Sequence, residues 1–125
     1  MPHLTVEYTS NLAALPMGTL LLRLNEALAT SGQFEEHDIK SRAVPLQDFL
    51  IGTSLREQGF VHAKLSLLGG RSATVKRELS QRLLQALQAA CANVPLPPVQ
   101  LCVEILEIDG EVYAKASVGE SRIAG

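Results

Sequence analysis

The chain has 125 residues, of which 46% are hydrophobic and 19% are charged, and its formal net charge is -2. This balance supports a buried core and excludes an intrinsically disordered chain, so we expect a single domain over residues 1–125. The basic residues are scattered and aromatic residues make up only 4%. Both features argue against nucleic acid as a partner, because phosphate binding and base stacking need concentrated cations and aromatic rings.

The start of the chain, Met-Pro-His-Leu-Thr-Val, has neither the positive charge nor the apolar stretch of a signal peptide. No apolar segment approaches the roughly 20 residues that span a bilayer, so the sequence predicts a cytoplasmic protein without a membrane partner. Cys91 and Cys102 are expected to be reduced core residues in that compartment. The three histidines lie far apart in sequence, which predicts no metal site.

The first half of the chain alternates between strand and helix patterns. Residues 4–8 alternate between apolar and polar side chains, which is typical of a strand. Apolar residues at helical spacing between positions 20 and 28 predict a helix that stops near Gly32. Residues 39–46 predict a weaker second strand, and Pro45 places it at an edge of the sheet.

The second half repeats this order. Residues 60–68 predict a third strand, and Ser72 is a good N-cap for a helix over residues 73–91. Residues 99–108 alternate again and predict a fourth strand. Asp109-Gly110 is then a hairpin turn signal before a further alternating segment.

Together these patterns predict an α+β fold. Residues 2–59 and 60–119 each form a βαβ pseudo-repeat within one mixed four-stranded sheet, with two helices on one face. Residues 112–118 add a C-terminal hairpin strand. The other sheet face is expected to be covered by another subunit, because it carries the apolar residues Phe60, Leu68, Leu106 and Ile108.

Pro2 is the residue most informative about chemistry. Removal of Met1 is expected before a small residue such as proline, and it leaves Pro2 as a secondary amine at the start of the chain. Such an amine is a free base near neutral pH only where apolar burial or nearby cations lower its pKa, as general base catalysis requires. A purely structural role is the alternative, because a strand can begin without its first N–H.

The order and spacing of four short segments resemble the tautomerase superfamily, and most of all its 5-carboxymethyl-2-hydroxymuconate delta-isomerases. These segments are Pro2-His3, Ile39-Lys40-Ser41-Arg42, Phe60-Val61-His62 and Gly70-Arg71-Ser72. Residues 60–119 also resemble one short 4-oxalocrotonate tautomerase subunit. The resemblance implies a tautomerase-like fold, a homotrimer and an isomerase that needs no cofactor.

The resemblance also implies a reaction. The amine of Pro2 would act as general base, take a proton from a small anionic dienol carboxylate of the 2-hydroxymuconate kind and return it to a distant carbon. Such substrates arise when aromatic compounds are degraded. Arg71 matches a family arginine and would be the second catalytic residue, since a guanidinium holds a carboxylate through two parallel hydrogen bonds. A surface arginine in a tight turn is the alternative.

The residue that holds the other carboxylate is open between Lys40 and Arg42. The family pattern carries an arginine on each side of a serine, whereas this chain has lysine on one side. If Lys40 is the binding residue, the bidentate geometry is lost, and if Arg42 is, the geometry is intact. Both residues lie on one strand face, where either can reach one pocket. His3 is the third candidate for substrate binding, with a strand-face role as the alternative.

Two further functions are compatible with the sequence. The chain is a binding or scaffold protein without catalysis if Met1 is retained, because the nitrogen of Pro2 is then an amide without basicity. A neighbouring chemistry of the superfamily, decarboxylation or hydrolytic dehalogenation, would use the same amine differently.

Overall fold

A computed structural model describes residues 1–119. Within that range the chain forms four strands and two helices, which follow one another as β1 (His3–Thr9), α1 (Met17–Ala29), β2 (Lys40–Leu46), β3 (Gly59–Leu68), α2 (Ala73–Cys91) and β4 (Val99–Ile108). Short 3-10 turns lie at Ser10–Leu12, Glu36–Asp38 and Gly110–Val112. As predicted, Ser72 caps α2, where its Oγ accepts a hydrogen bond from the Val75 N–H at 3.2 Å.

The four strands form one mixed sheet in the order β2-β1-β3-β4. β1 pairs with β2 and β3 pairs with β4 in parallel, while β1 and β3 are antiparallel. Two βαβ units therefore share one sheet, which confirms the predicted fold class. Because His3 pairs with both Lys40 and Ser66, β1 and β2 begin at the end of the sheet where β3 and β4 finish. We call this the amino-terminal end, and the other the opposite end.

Both helices cover the same face of the sheet. Alternate residues of β1 and β3 are fully buried on this face, among them Leu4, Val6 and Leu65. They pack against one side of each helix, and the helical members of this core are Leu20, Leu24, Leu28, Leu79, Leu83 and Leu87. The helical spacing of these leucines explains why each helix buries a single stripe.

The centre of the face without helices, here called the open face, is charged. Lys64 lies 3.2 Å from a carboxylate oxygen of Glu7, and His62 lies 2.8 Å from one of Glu104. Leu106 is 40% exposed on the same face. The apolar residues predicted for this face therefore lie towards its ends, and the ion pairs occupy the middle.

The two cysteines differ in burial. Cys91 is a half-buried thiol at the end of α2, and its burial raises its pKa. Cys102 is exposed, so its prediction as a core residue is wrong. The register of β3 and β4 pairs Cys102 with His62 on the open face. Its neighbour Val103 is the residue that packs against the core instead.

The predicted C-terminal hairpin strand is absent from residues 113–118, and that prediction is wrong. The side chain of Asp109 accepts a hydrogen bond from the Glu111 N–H at 3.0 Å, which starts a 3-10 turn instead of a two-residue hairpin loop. The turn directs the chain across the amino-terminal end of the sheet. There Tyr113 contacts His3 and Lys115 contacts Asp38.

Candidate active site

The first residues of the chain lie at the amino-terminal end of the sheet, against β2. Pro2 is buried, and its carbonyl accepts a hydrogen bond from the Lys40 N–H at 3.1 Å. The amino group of Met1 donates to the carbonyl oxygen of Asp38 at 3.2 Å, and the ammonium of Lys40 donates to that same oxygen at 2.7 Å. The start of the chain and a lysine cation are thus neighbours that share one acceptor.

This environment makes the chain-terminal amine less basic. Burial is the main cause that lowers the pKa of the Met1 amino group, and the charge of Lys40 lowers it further. The carboxylate of Asp38, with one oxygen 3.8 Å away, opposes the effect. An amine at this place carries a free lone pair at lower pH than an exposed one does.

His3 follows the start of the chain and lies on the open face. Both of its ring nitrogens form hydrogen bonds. Its Nδ1 is 2.7 Å from Nη2 of Arg42, and its Nε2 is 3.2 Å from the hydroxyl of Tyr113. The His3 and Tyr113 rings meet edge to face, with centroids 6.3 Å apart. Burial, and then the charges of Arg42 and Lys40, lower the pKa of His3 below its ordinary value. The imidazole is therefore neutral at neutral pH.

The C-terminal segment brings a further cation to this place. The ammonium of Lys115 lies 2.8 Å from Oδ1 of Asp38. This hydrogen bond lowers the pKa of Asp38 and raises that of Lys115, so both groups stay charged at neutral pH.

These residues form what we call the amino-terminal cluster, which consists of Met1, Pro2, His3, Asp38, Lys40, Arg42, Tyr113 and Lys115. Its three basic side chains outnumber its one carboxylate, and a positive surplus beside a weakly basic amine suits an anion that exchanges a proton.

Arg71 lies outside the amino-terminal cluster. Its Nε and Nη2 donate to the side chain and carbonyl of Gln33 at 3.1 and 2.9 Å, and its Nη1 donates to the carbonyl of Leu68 at 3.4 Å. The guanidinium also stacks over the ring of Phe34, 4.8 Å from its centroid. None of these described contacts is to Pro2 or to another residue of the amino-terminal cluster.

Four of the five predicted site residues are brought together: Pro2, His3, Lys40 and Arg42. Asp38, Tyr113 and Lys115 were not predicted as site residues. For the last two a signal existed, because Tyr113 and Lys115 alternate with apolar residues in the segment predicted as the hairpin strand. For Asp38 no signal existed, since its main contribution is a backbone carbonyl.

Several surface depressions lie outside the amino-terminal cluster, among them one at each end of the sheet. A groove of about 540 Å³ lies at the ends of β3 and β4, and its two acidic side chains, Glu107 and Asp109, do not suit an anionic ligand. A depression of about 370 Å³ lies at the opposite end, beside Arg56. In residues 1–119 no group of three or more His, Cys, Asp or Glu side chains is placed to hold a metal ion. No helix in this range is long and apolar enough to cross a membrane.

Comparison with known proteins identifies the family. A family model described as 5-carboxymethyl-2-hydroxymuconate isomerase matches residues 2–122. The crystal structure of such an isomerase from Deinococcus radiodurans R1 is 32% identical to this chain, with a TM-score of 0.83. That match covers 94% of this chain and 90% of the other. The chain belongs to this isomerase family.

Two further solved structures are similar to this chain. A 5-carboxymethyl-2-hydroxymuconate delta-isomerase is 28% identical, with a TM-score of 0.81, and the match covers 95% of this chain and 89% of that one. A fused 4-OT, described as a symmetric trimer, is 19% identical with a TM-score of 0.65, covers 98% of both chains and shows the fold alone. The curated proteins contain no match. Family membership makes this chain an isomerase of the tautomerase superfamily.

Proposed function

We propose that the chain is a cofactor-independent isomerase that converts an anionic dienol carboxylate into its keto isomer, with the amine of Pro2 as general base. The proposal depends above all on one observation: the start of the chain and the Lys40 ammonium converge on the carbonyl of Asp38. Removal of Met1 leaves a secondary amine on Pro2, which is buried next to Met1 and whose carbonyl accepts a hydrogen bond from the Lys40 N–H. Burial and the nearby cation then favour its unprotonated form.

The proposed reaction moves one proton and three electron pairs of the dienol. The amine takes the proton of the enol hydroxyl, and the O–H electrons become the new C=O bond. The conjugated double bonds shift by one position, and the displaced pair takes the proton back from the ammonium at a distant carbon. No electrons enter or leave, so the step requires no oxidant or reductant.

The substrate carboxylates bind to the basic side chains of the amino-terminal cluster. Lys40 holds the carboxylate nearest the amine, because its ammonium is already beside the chain start. Arg42 holds a second carboxylate through the N–H groups that His3 does not use, since a guanidinium has five donors. His3 lies between the amine and Arg42. A dicarboxylate or tricarboxylate of the 2-hydroxymuconate kind fits this charge pattern.

A homotrimer is part of the proposal. The fused 4-OT with the same fold is a symmetric trimer, and Val44 and Leu106 are 39% and 40% exposed on the open face, where another subunit can cover them. Arg71 is bonded to Gln33 within its own chain, and none of its described contacts is to the chain start. We assign Arg71 to a carboxylate in the site of a neighbouring subunit.

One complementation experiment tests Pro2 as the general base, Arg71 as the carboxylate-binding residue and the homotrimer as the assembly. Pro2→Ala and Arg71→Ala are each expected to lower turnover of 2-hydroxymuconate by about 100-fold or more, because each removes a group that acts on the reacting system. Mixed trimers of the two variants should recover activity, since some sites combine an intact Pro2 with an intact Arg71 from the neighbour. Absorbance at the dienol band measures the rate.

The controls separate the parts of the proposal. Arg77→Ala, an exposed arginine of α2, should retain wild-type turnover. Undiminished activity of Pro2→Ala would show that the base is assigned wrongly, and a lack of recovery in mixed trimers would show that Arg71 does not act across subunits. The intact mass of the protein from its native source should equal that of the chain without Met1. A retained methionine would favour the scaffold function.

A further inference from the structure

The direction of each hydrogen bond around His3 follows from the chemistry of its partners. A guanidinium has donors only, so the Arg42 contact at 2.7 Å requires Nδ1 of His3 to be the acceptor. A neutral imidazole then carries its single proton on Nε2 and donates it to the hydroxyl oxygen of Tyr113 at 3.2 Å. Because that oxygen already accepts a bond, the hydroxyl proton of Tyr113 is directed at a further acceptor.

We propose that Tyr113 is a substrate-binding residue whose hydroxyl donates a hydrogen bond to the 2-oxo or enol oxygen of the dicarboxylate. Arg42 and His3 are its positioning residues, because they fix the direction in which the hydroxyl donates. This inference rests on the proposed function, since it places the substrate in the amino-terminal cluster.

The surroundings of Tyr113 support such a contact. The residue is half buried at the amino-terminal end of the sheet, where its ring meets the His3 ring edge to face and its hydroxyl bonds to His3 Nε2. Two residues further on, Lys115 bonds to Asp38, whose carbonyl accepts from the chain-terminal amine. The C-terminal segment therefore holds the tyrosine beside the amine.

A donor at this position has a chemical use. Negative charge develops on the enol oxygen as the base removes its proton, and a positioned hydroxyl stabilises that charge. The positive charge of Arg42, transmitted through the imidazole, polarises the Tyr113 hydroxyl and strengthens its bond to the oxygen. Tyr113 would thus distinguish 2-oxo or 2-hydroxy dicarboxylates from plain dicarboxylates, which the cations alone cannot do.

Two ligands that differ by one carbonyl oxygen test this inference. Calorimetry measures the binding of 2-oxoglutarate and of glutarate to the protein without Met1. The wild type should bind 2-oxoglutarate about 3- to 10-fold more tightly than glutarate, which is the range that one hydrogen bond supplies. Tyr113→Phe should bind both ligands equally. Tyr8→Phe is the matched control, because Tyr8 is the chain's other tyrosine and packs against the core instead.

The outcomes distinguish this inference from the proposed function. A Tyr113→Phe protein that keeps the wild-type preference would overturn the inference and leave the proposed base untouched. A wild type that binds the two ligands equally, or binds neither, would also overturn it. If the preference depends on Tyr113 while Pro2→Ala retains full turnover, the inference stands and the proposed base fails.

Discussion

The two ends of the sheet have related topology and different chemistry. At the amino-terminal end β1 begins beside β2, with His3 paired to Lys40. At the opposite end β3 begins beside β4, with Gly59 paired to Val99. The first pair lies beside an amine and the two basic side chains of Arg42 and Lys115, whereas the second lies among amides and apolar groups.

The difference comes from where the chain starts. β1 can offer a free amine, but β3 is entered through a peptide bond, whose nitrogen has no basicity. That nitrogen is also already used, because the Gly59 N–H donates to the carbonyl of Pro98 at 2.9 Å. Asn11 likewise bonds to the carbonyl of Gln58 at 2.9 Å. With two βαβ units in one sheet, the chain start lies beside only one of the two parallel strand pairs, and the other pair makes packing contacts and backbone hydrogen bonds.

The largest expected effect concerns packing at the opposite end. A Cβ on Gly59 would lie 2.6 Å from Oγ1 of Thr9 and 2.9 Å from Cδ2 of Leu12, and both side chains are fully buried. We expect Gly59→Ala to lower the free energy of unfolding by about 1–3 kcal/mol, because a packed core cannot give way without strain. Urea denaturation measures the change.

Gly69, at the amino-terminal end, is the matched control for this substitution. A Cβ there would meet only the carboxylate of Glu107, at 3.2 Å, which is the far end of a flexible side chain. Gly69→Ala should therefore change the free energy of unfolding much less. Equal losses in the two variants would contradict the view that the opposite end is built for packing.

The next largest expected effect concerns the contribution of the Lys40 charge to substrate binding. Lys40→Ala should raise the KM for 2-hydroxymuconate about tenfold, because the substrate loses one charge-assisted hydrogen bond. Arg56→Ala is the matched control, since Arg56 is an exposed cation beside the depression at the opposite end. Steady-state kinetics should show no change in that variant. A similar rise of the KM in the Lys40→Ala and Arg56→Ala variants would mean that the net charge of the protein, and not the amino-terminal cluster, attracts the substrate.

The smallest effect concerns the pKa of His3. Arg42→Ala should raise this pKa towards its ordinary value, because the charge of Arg42 is the second largest cause of the lowering, after burial. Lys40, Lys115 and the chain-terminal amine also face His3, so part of the lowering should persist. Titration by proton NMR follows the imidazole signal. In Arg56→Ala the pKa of His3 should equal that of the wild type, and an unchanged value in Arg42→Ala would contradict the contact.

The lowered pKa of His3 also gives the direction of a stability change. In the unfolded chain the pKa of His3 is near the ordinary value of 6.5, and in the folded chain the pKa of His3 is lower. Between these two values the unfolded state binds more protons. The free energy of unfolding therefore falls as the pH drops from about 6.5 through the pKa of His3 in the folded chain. Well above pH 6.5 His3 is neutral in both states and causes no such loss. The Arg42→Ala variant should show a weaker fall.

Periodicity and turn chemistry in the sequence determined most of the fold. Apolar residues at period two and at helical spacing located four strands and two helices, because each element must bury one face. Pro45 marked an edge strand, and β2 is indeed an edge of the sheet. The short segments around Pro2 and Arg71 resembled the family to which the chain belongs.

Tertiary structure decided what the pattern leaves open. The same alternation over residues 112–118 is compatible with a strand or with an extended segment, and only the turn at Asp109 settles which one forms. Contacts between distant residues, such as His3 with Tyr113 or the chain start with Asp38, depend on how strands from both halves meet at one end. Local patterns carry no information about such neighbours, since a pattern reports which side is buried and not what lies across it.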